Sequence, residues 1–292
     1  MSLLDAALTY GRMVKLSHSL FALPFALASA ALASERVEVT AVQVGWIALA
    51  MVGARSAAMG FNRLADRRID AANPRTRGRE LPQGRVSPAA AAIFVTLSAG
   101  LLILAAYRLN PLCFALSPVL LALLFGYSYT KRFTWASHLV LGVGLGAAPV
   151  AAWLALTGTV AEPPLLLGAA VVAWVAGFDV IYACQDHDFD RGFGLHSLPV
   201  RLGVARALQT ARGLHLLALA LLAILGTRVG VGPVYWAGVV AVAGLLVYEH
   251  RLVRADDLSR LDLAFFTMNG VISVVFLAFT VADLIARRGL PV

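Results

Sequence analysis

Asn62, Asp66 and Asp70 follow one another at intervals of four residues. On an α-helix that spacing stacks three oxygen-bearing side chains on one face, and Arg55, two turns earlier, shares it. The pattern returns 120 residues later (186 − 66 = 120), where Asp179, Tyr182, Asp186 and Asp190 project from one helical face. Carboxylates with an added amide oxygen are hard ligands that suit Mg²⁺, which keeps some waters and completes its shell with phosphate. No Cys or His stands at ligand spacing, which argues against zinc. Arg63, Arg67, Arg68, Arg75, Arg77, Arg79 and Arg85 crowd the first motif and its loop, and Lys131 and Arg132 close a later apolar run. Fixed cations of this kind hold polyanions, so the residue types together imply a metal-bound diphosphate. The alternative is that each aspartate only pairs with neighbouring arginines at headgroup level. Two matched pairs at the ends of apolar runs weigh against it, because a carboxylate there is costly to bury unless paired or metal-bound and so points to function.

These residues must be positioned by membrane helices. Of 292 residues, 60% are hydrophobic and 14% charged, against about a quarter charged in a soluble domain. Nine apolar runs, near 16–34, 39–61, 88–107, 111–129, 136–157, 163–183, 207–227, 232–249 and 262–285, predict nine spans in one all-α bundle. No strand pattern competes. The first run mimics a secretory signal, but Pro24 breaks it and His18 lies within it, so a retained helix is the better reading. A single domain over residues 1–292 is expected, with the two acidic motifs as a pseudo-repeat meeting at a cytoplasmic-side cavity. Each motif is followed by a long loop of Gly, Pro, Arg and Ser, a length more often functional than not.

Lys and Arg fall mostly on one side of these spans, which places the N-terminus and both acidic motifs in the cytoplasm. Nine spans then leave the C-terminus outside, an assignment that Arg287 and Arg288 mildly oppose. The net charge of +8 sits in particular loops, which points to topology and an anionic ligand and away from nucleic acid. Cys113 and Cys184, the only cysteines, supply neither a disulfide framework nor a metal pattern. Lys15 and His18 read equally as interfacial residues or ligand contacts, and Tyr182 as a phosphate contact or part of an aromatic belt. His138, His196 and Glu249 read as structural. The small-residue run Leu141–Pro149 permits close helix approach or room for a chain-like ligand.

N-R-L-A-D-R-R-I-D-A-A-N-P-R-T-R-G-R-E-L-P-Q-G, from Asn62, resembles the first aspartate motif of the UbiA superfamily of intramembrane aromatic prenyltransferases. Y-A-C-Q-D-H-D-F-D, from Tyr182, resembles its second. K-L-S-H-S-L-F-A-L-P-F-A-L resembles the family's first helix and Y-S-Y-T-K-R-F-T-W-A-S-H-L-V-L-G its fourth-to-fifth connection, so the likeness covers nearly the whole chain. It implies a nine-helix bundle of the cytoplasmic (inner) membrane that binds Mg²⁺ and the diphosphate of a polyprenyl donor. Carried over, Asn62, Asp66, Asp70, Asp186 and Asp190 become the catalytic and metal residues, with Asp70 supporting. Arg63, Lys131, Arg132 and Tyr182 become the diphosphate contacts, and Arg55 is assigned to the acceptor carboxylate.

The pattern is most similar to the 4-hydroxybenzoate polyprenyltransferase branch and its relatives in the futalosine route to menaquinone. His138 stands where a glutamine is expected for 4-hydroxybenzoate, so a naphthoate-type acid stays open as acceptor. Ionisation of the allylic C–O bond, attack by an electron-rich ring carbon and loss of the ring proton is the implied reaction. The base stays open between an aspartate and the released diphosphate. Alternatives are haem-O or chlorophyll-type prenyl transfer, and a phospholipid-headgroup transferase, whose continuous aspartate run is absent. A cation-coupled transporter would place its carboxylates near mid-membrane. The bilayer and the two substrates are the partners implied, and protein partners are not readable.

Overall fold

A computed structural model describes residues 9–14 and 21–289. Lys15 and His18, with the start of the first expected span, lie outside the described residues. Among these, structure is helical apart from turns and one isolated bridge between Arg254 and Asp257. Helices are α1 Leu23–Ala33, α2 Ala41–Ala65, α3 Arg67–Ala72, α4 Pro88–Leu109, α5 Pro111–Thr130 and α6 Ser137–Thr157. They continue with α7 Glu162–Ala183, α8 His187–Phe193, α9 Leu198–Leu202, α10 Val204–Val229, α11 Pro233–Leu252 and α12 Asn269–Gly289. The chain forms two compact units, one of residues 1–19 and 41–129, the other of 20–40 and 130–292.

Local chemistry sets the helix boundaries. The Ser87 hydroxyl accepts from Ala90 N at 3.1 Å, with Pro88 at the first helical position of α4. That is the cap-then-proline start that satisfies exposed N–H groups. Asn110 does the same for α5, its Oδ1 accepting from Cys113 N at 2.9 Å. Gly158, at φ 68°, closes α6 in the left-handed conformation that glycine adopts without strain.

In the first unit α2 lies along α4, and Gly53 sets their approach. A β-carbon there would meet Ser98 O at 2.9 Å and Leu102 N at 2.8 Å, so only glycine permits the spacing. Ala57, Leu102 and Leu121 continue the seam, and Phe61 stacks on Phe125 at 4.3 Å. The second unit is built around α7, the most deeply buried of the candidate membrane spans, which packs against α6 and α10. Gly146 and Gly168 meet there, a β-carbon on Gly146 falling 2.6 Å from Gly168 O. The small-residue run of α6 therefore serves close helix approach.

Among the described residues, seven helical stretches are long and apolar enough to cross a membrane: α2, α4, α5, α6, residues 162–193, α10 and residues 263–289. Of the nine expected spans, α11 has the length but carries Tyr235 and Trp236 at one end and Glu249, His250 and Arg251 at the other. The described part of the first span is the 11-residue α1. The last span opens with a π-helical segment, Leu263–Met268. Asn269 Nδ2 explains it, because it donates to Phe265 O at 2.9 Å and Ala264 O at 3.3 Å, occupying carbonyls that the helical ladder would use.

Candidate active site

The first motif does not run on a straight helix. α2 ends at Ala65, and Asp66 takes φ −94° and ψ 7° before α3 begins. The 1–5 hydrogen bonds persist through this kink, from Asp66 N to Asn62 O at 2.9 Å and from Asp70 N to Asp66 O at 2.8 Å. The second motif is built the same way. A 3₁₀ turn, Cys184–Asp186, follows α7, and Asp186 takes φ −97° and ψ 5° before α8 begins. The 120-residue repeat is thus a repeat of backbone conformation as well as residue type. Both first aspartates occupy the sparsely populated bridge region, where functional residues are often found.

In the first unit Asn62 Nδ2 donates to Asp66 Oδ2 at 2.9 Å, so the amide orients the carboxylate. Asp70 is 5% exposed, and its Oδ1 accepts from Arg79 Nη1 at 2.6 Å. Its Oδ2 is buried with no partner. The loop returns to it, since Thr76 Oγ1 donates to Asp70 O at 3.0 Å and Asn73 Oδ1 accepts from Arg75 N at 2.9 Å. Sequence reasoning placed Arg79 only among seven arginines; here it is the partner of Asp70. Arg63 turns inward, buried, with Nε donating to Met13 O at 3.2 Å. Arg55 is half-buried in α2, and its Nε is buried without a partner.

In the second unit Asp186 and Asp190 are 6% and 2% exposed. Lys131 Nζ donates to Asp190 Oδ2 at 2.8 Å, while Lys131 O accepts from His196 N at 2.7 Å. Lys131 thereby holds both the second motif and the loop beyond α8. Gly194, at φ 77°, terminates α8, and Asp190 O accepts from Leu195 N at 2.8 Å. Arg132, next to Lys131, is exposed. Tyr182 stacks on Phe265 at 3.9 Å and meets Phe266 edge-on at 5.6 Å, so the π-helical segment holds its ring. The structure adds one pair that sequence reasoning missed: His138 Nδ1 lies 2.6 Å from Asp179 Oδ2. The residues are 41 apart in sequence, and no local spacing signals the contact.

No three His, Cys, Asp or Glu side chains converge as a metal cluster among the described residues. The donors nevertheless fit a hard cation. They are carboxylate and amide oxygens, those of Asp70, Asp186 and Asp190 buried and those of Asn62 and Asp66 half-buried, and the buried Asp70 Oδ2 lacks a partner. A buried carboxylate oxygen without a donor is costly, and a cation relieves that cost.

Residues 22–271 match the model of the UbiA prenyltransferase family. The chain belongs to the UbiA prenyltransferase family. The match runs across both compact units, and the protein is a membrane-embedded prenyltransferase. It is similar to the 4-hydroxybenzoate octaprenyltransferase of Aliivibrio fischeri strain MJ11, at 31% identity over 81% of this chain and 82% of that one. The enzyme of the same name from Chromohalobacter salexigens is 35% identical over 76% and 74% of the two chains. Among solved structures, the apo UbiA homologue of Aeropyrum pernix K1 shares 33% identity. It superposes with a TM-score of 0.83 over 91% of this chain and 98% of that one. A UbiA homologue from Archaeoglobus fulgidus, solved with DMAPP and Mg²⁺ bound, shares the fold at a TM-score of 0.75 and 20% identity, over 94% and 99% of the two chains.

Proposed function

We propose that the protein transfers a polyprenyl group from polyprenyl diphosphate to a phenolic aromatic acid, with 4-hydroxybenzoate as acceptor, in quinone biosynthesis. The observation that carries this is the pair of kinked aspartate motifs, each with a buried aspartate held by its own basic partner, in a chain 31–35% identical to 4-hydroxybenzoate octaprenyltransferases. Asn62, Asp66 and Asp70 in one unit and Asp186 and Asp190 in the other are the residues that would hold Mg²⁺. When bound, that ion neutralises the diphosphate and eases departure of the leaving group.

The chain's own groups do the rest. Lys131 has three N–H donors, of which one serves Asp190, so the others can meet a diphosphate oxygen. Arg132 and Arg63 add charge, and Tyr182, its ring packed against Phe265 and Phe266, offers a hydroxyl. Arg55, with a buried and partnerless Nε, is suited to the acceptor carboxylate, which a guanidinium grips with two N–H donors. Burial in an apolar bundle keeps water from the allylic cation.

Nine membrane crossings are proposed, α1 and α11 included, as one prenyltransferase domain of the cytoplasmic membrane. The N-terminus and both aspartate motifs face the cytoplasm, where the soluble acceptor arises. The test is incubation of membranes holding the protein with labelled polyprenyl diphosphates and a panel of aromatic acids, with and without Mg²⁺. Metal-dependent labelling of 4-hydroxybenzoate supports the reading. Labelling of a naphthoate alone moves the acceptor assignment to the menaquinone branch, and no labelled aromatic product overturns both.

A further inference from the structure

Asp179 lies in α7 seven residues before Asp186, about 10 Å deeper along the helix axis at 1.5 Å per residue. That separation is too great for it to share a metal with Asp186 and Asp190. Its neighbours differ as well. Asp70 and Asp190 are each matched by a cation, Arg79 and Lys131, whereas Asp179 is matched by an imidazole. His138, at the start of α6, is fully buried, and its Nδ1 lies 2.6 Å from Asp179 Oδ2. On its other side His138 Nε2 accepts the backbone N–H of Leu198 at 3.3 Å. An acceptor at Nε2 requires the proton on Nδ1, so the ring is the neutral tautomer donating to the carboxylate. Leu198 opens α9, which Ser197 caps through Val200 N at 3.4 Å. The imidazole is thus clamped between α7 and the segment that follows the second motif.

A carboxylate inside an apolar helix, oriented by a neutral donor and with 16% of its side chain exposed, is not explained by stability. A buried charge without a counter-charge is costly. Orientation by a second group, with one oxygen left accessible, is what a general base requires. Resting on the phenolic-acid prenyl transfer proposed above, we propose that Asp179 is the base that removes the ring proton of the acceptor, and that His138 is its positioning residue. The step balances. The allylic C–O bond breaks, and diphosphate leaves with the electron pair. The ring carbon ortho to the hydroxyl forms the new C–C bond. Its C–H pair returns to the ring as the proton passes to the Asp179 carboxylate, which is reset by losing that proton to water as product leaves.

The test uses the full chain in detergent with Mg²⁺, geranyl diphosphate and 4-hydroxybenzoate, normal or deuterated at the carbons ortho to the hydroxyl. Asp179→Asn preserves the shape of the side chain but removes the base, and should lower turnover about 10²- to 10⁴-fold. It should also show a larger primary isotope effect than wild type, because proton loss becomes rate-limiting. His138→Leu should do the same more mildly, by roughly a hundredfold. His138→Gln, which can donate to Asp179 and accept from Leu198, should restore most of the rate and a wild-type isotope effect. A rate loss in Asp179→Asn without a larger isotope effect would mark a structural role and overturn the assignment. Unchanged turnover would overturn it too. If the His138 variants leave the isotope effect at the wild-type value, the positioning role fails. Wild type that prenylates no phenolic acid would instead sink the reading of function on which this inference stands, and with it the inference.

Discussion

Removing the ammonium of Lys131 separates two roles that the geometry gives it. Lys131 Nζ lies 2.8 Å from Asp190 Oδ2, and the carboxylate is 3% exposed against 34% for the lysine side chain. A charged hydrogen bond of this kind contributes about 1.5–3 kcal/mol. The lysine's exposure to solvent lowers that, so roughly 1–2 kcal/mol of stability should go with Lys131→Met. Asp190→Asn removes the charge that needs compensation, and the double variant should therefore regain part of what Lys131→Met loses, a coupling that a double-mutant cycle reads directly. Activity should behave otherwise. Lys131→Met should raise the KM for prenyl diphosphate more than that for the aromatic acid, and the double variant should stay inactive. The assay pair is thermal denaturation in detergent and steady-state prenyl transfer with each substrate varied. Recovery of both stability and activity in the double variant would show that Lys131 only neutralises Asp190. Equal change in both KM values would refute the diphosphate assignment.

Asp66→Asn and Asp186→Asn should each cut Mg²⁺-dependent prenyl transfer by orders of magnitude while folded protein stays in the membrane; near-normal transfer in EDTA would exclude the metal reading. Arg55→Leu should raise the KM of the aromatic acid roughly ten- to a hundredfold, with little change for the donor, if its guanidinium grips the acceptor carboxylate. Arg77 and Gly192 are exposed, and cysteines placed there, with Cys113 and Cys184 replaced, should react with impermeant thiol reagents only from the cytoplasmic face. Gly146→Val should reduce the yield of folded protein, since its β-carbon would lie 2.6 Å from Gly168 O and Val172 Cγ2, and overpacking of this kind costs about 1–3 kcal/mol.

The helices were legible because the signals that end them are local. The expected runs 111–129, 136–157 and 163–183 fall within a residue of α5, α6 and α7. Proline or a capping side chain opens α4 and α5, and glycine closes α6, so hydropathy and punctuation agree. The aspartate motifs were legible for the same reason, because a four-residue spacing keeps side chains on one face as long as the helical turn continues. The 1–5 hydrogen bonds carry it through the kink at Asp66, and a single 3₁₀ turn carries it through the one at Asp186. The kinks themselves were not. A bend at Asp66 or Asp186 leaves the side-chain order unchanged and involves no proline or glycine at the bend. The π-helical start of the last span was hidden likewise, since it depends on Asn269 reaching back to Ala264 and Phe265.

Partners across helices were the other blind spot, and they decide what each charge is for. Seven arginines around one motif read from sequence as a single basic cloud, yet packing gives two of them separate tasks. Arg79 neutralises Asp70, and Arg63 turns inward to the Met13 carbonyl. Arg67, Arg68, Arg75, Arg77 and Arg85 are exposed, and the proposed cytoplasmic orientation of this loop would account for them. The same sorting applies to the aspartates. Asp70 and Asp190, at the helix ends, have cationic partners, and the one deeper in α7 has a neutral imidazole. A carboxylate near a cation is prepared to share that cation's field with a ligand, whereas one held by a neutral donor is oriented with no fixed positive charge as its partner. On the proposed reading, depth along α7 orders the chemistry, with the residues that would hold metal and diphosphate at the end of the helix and the proposed proton acceptor two turns inside it.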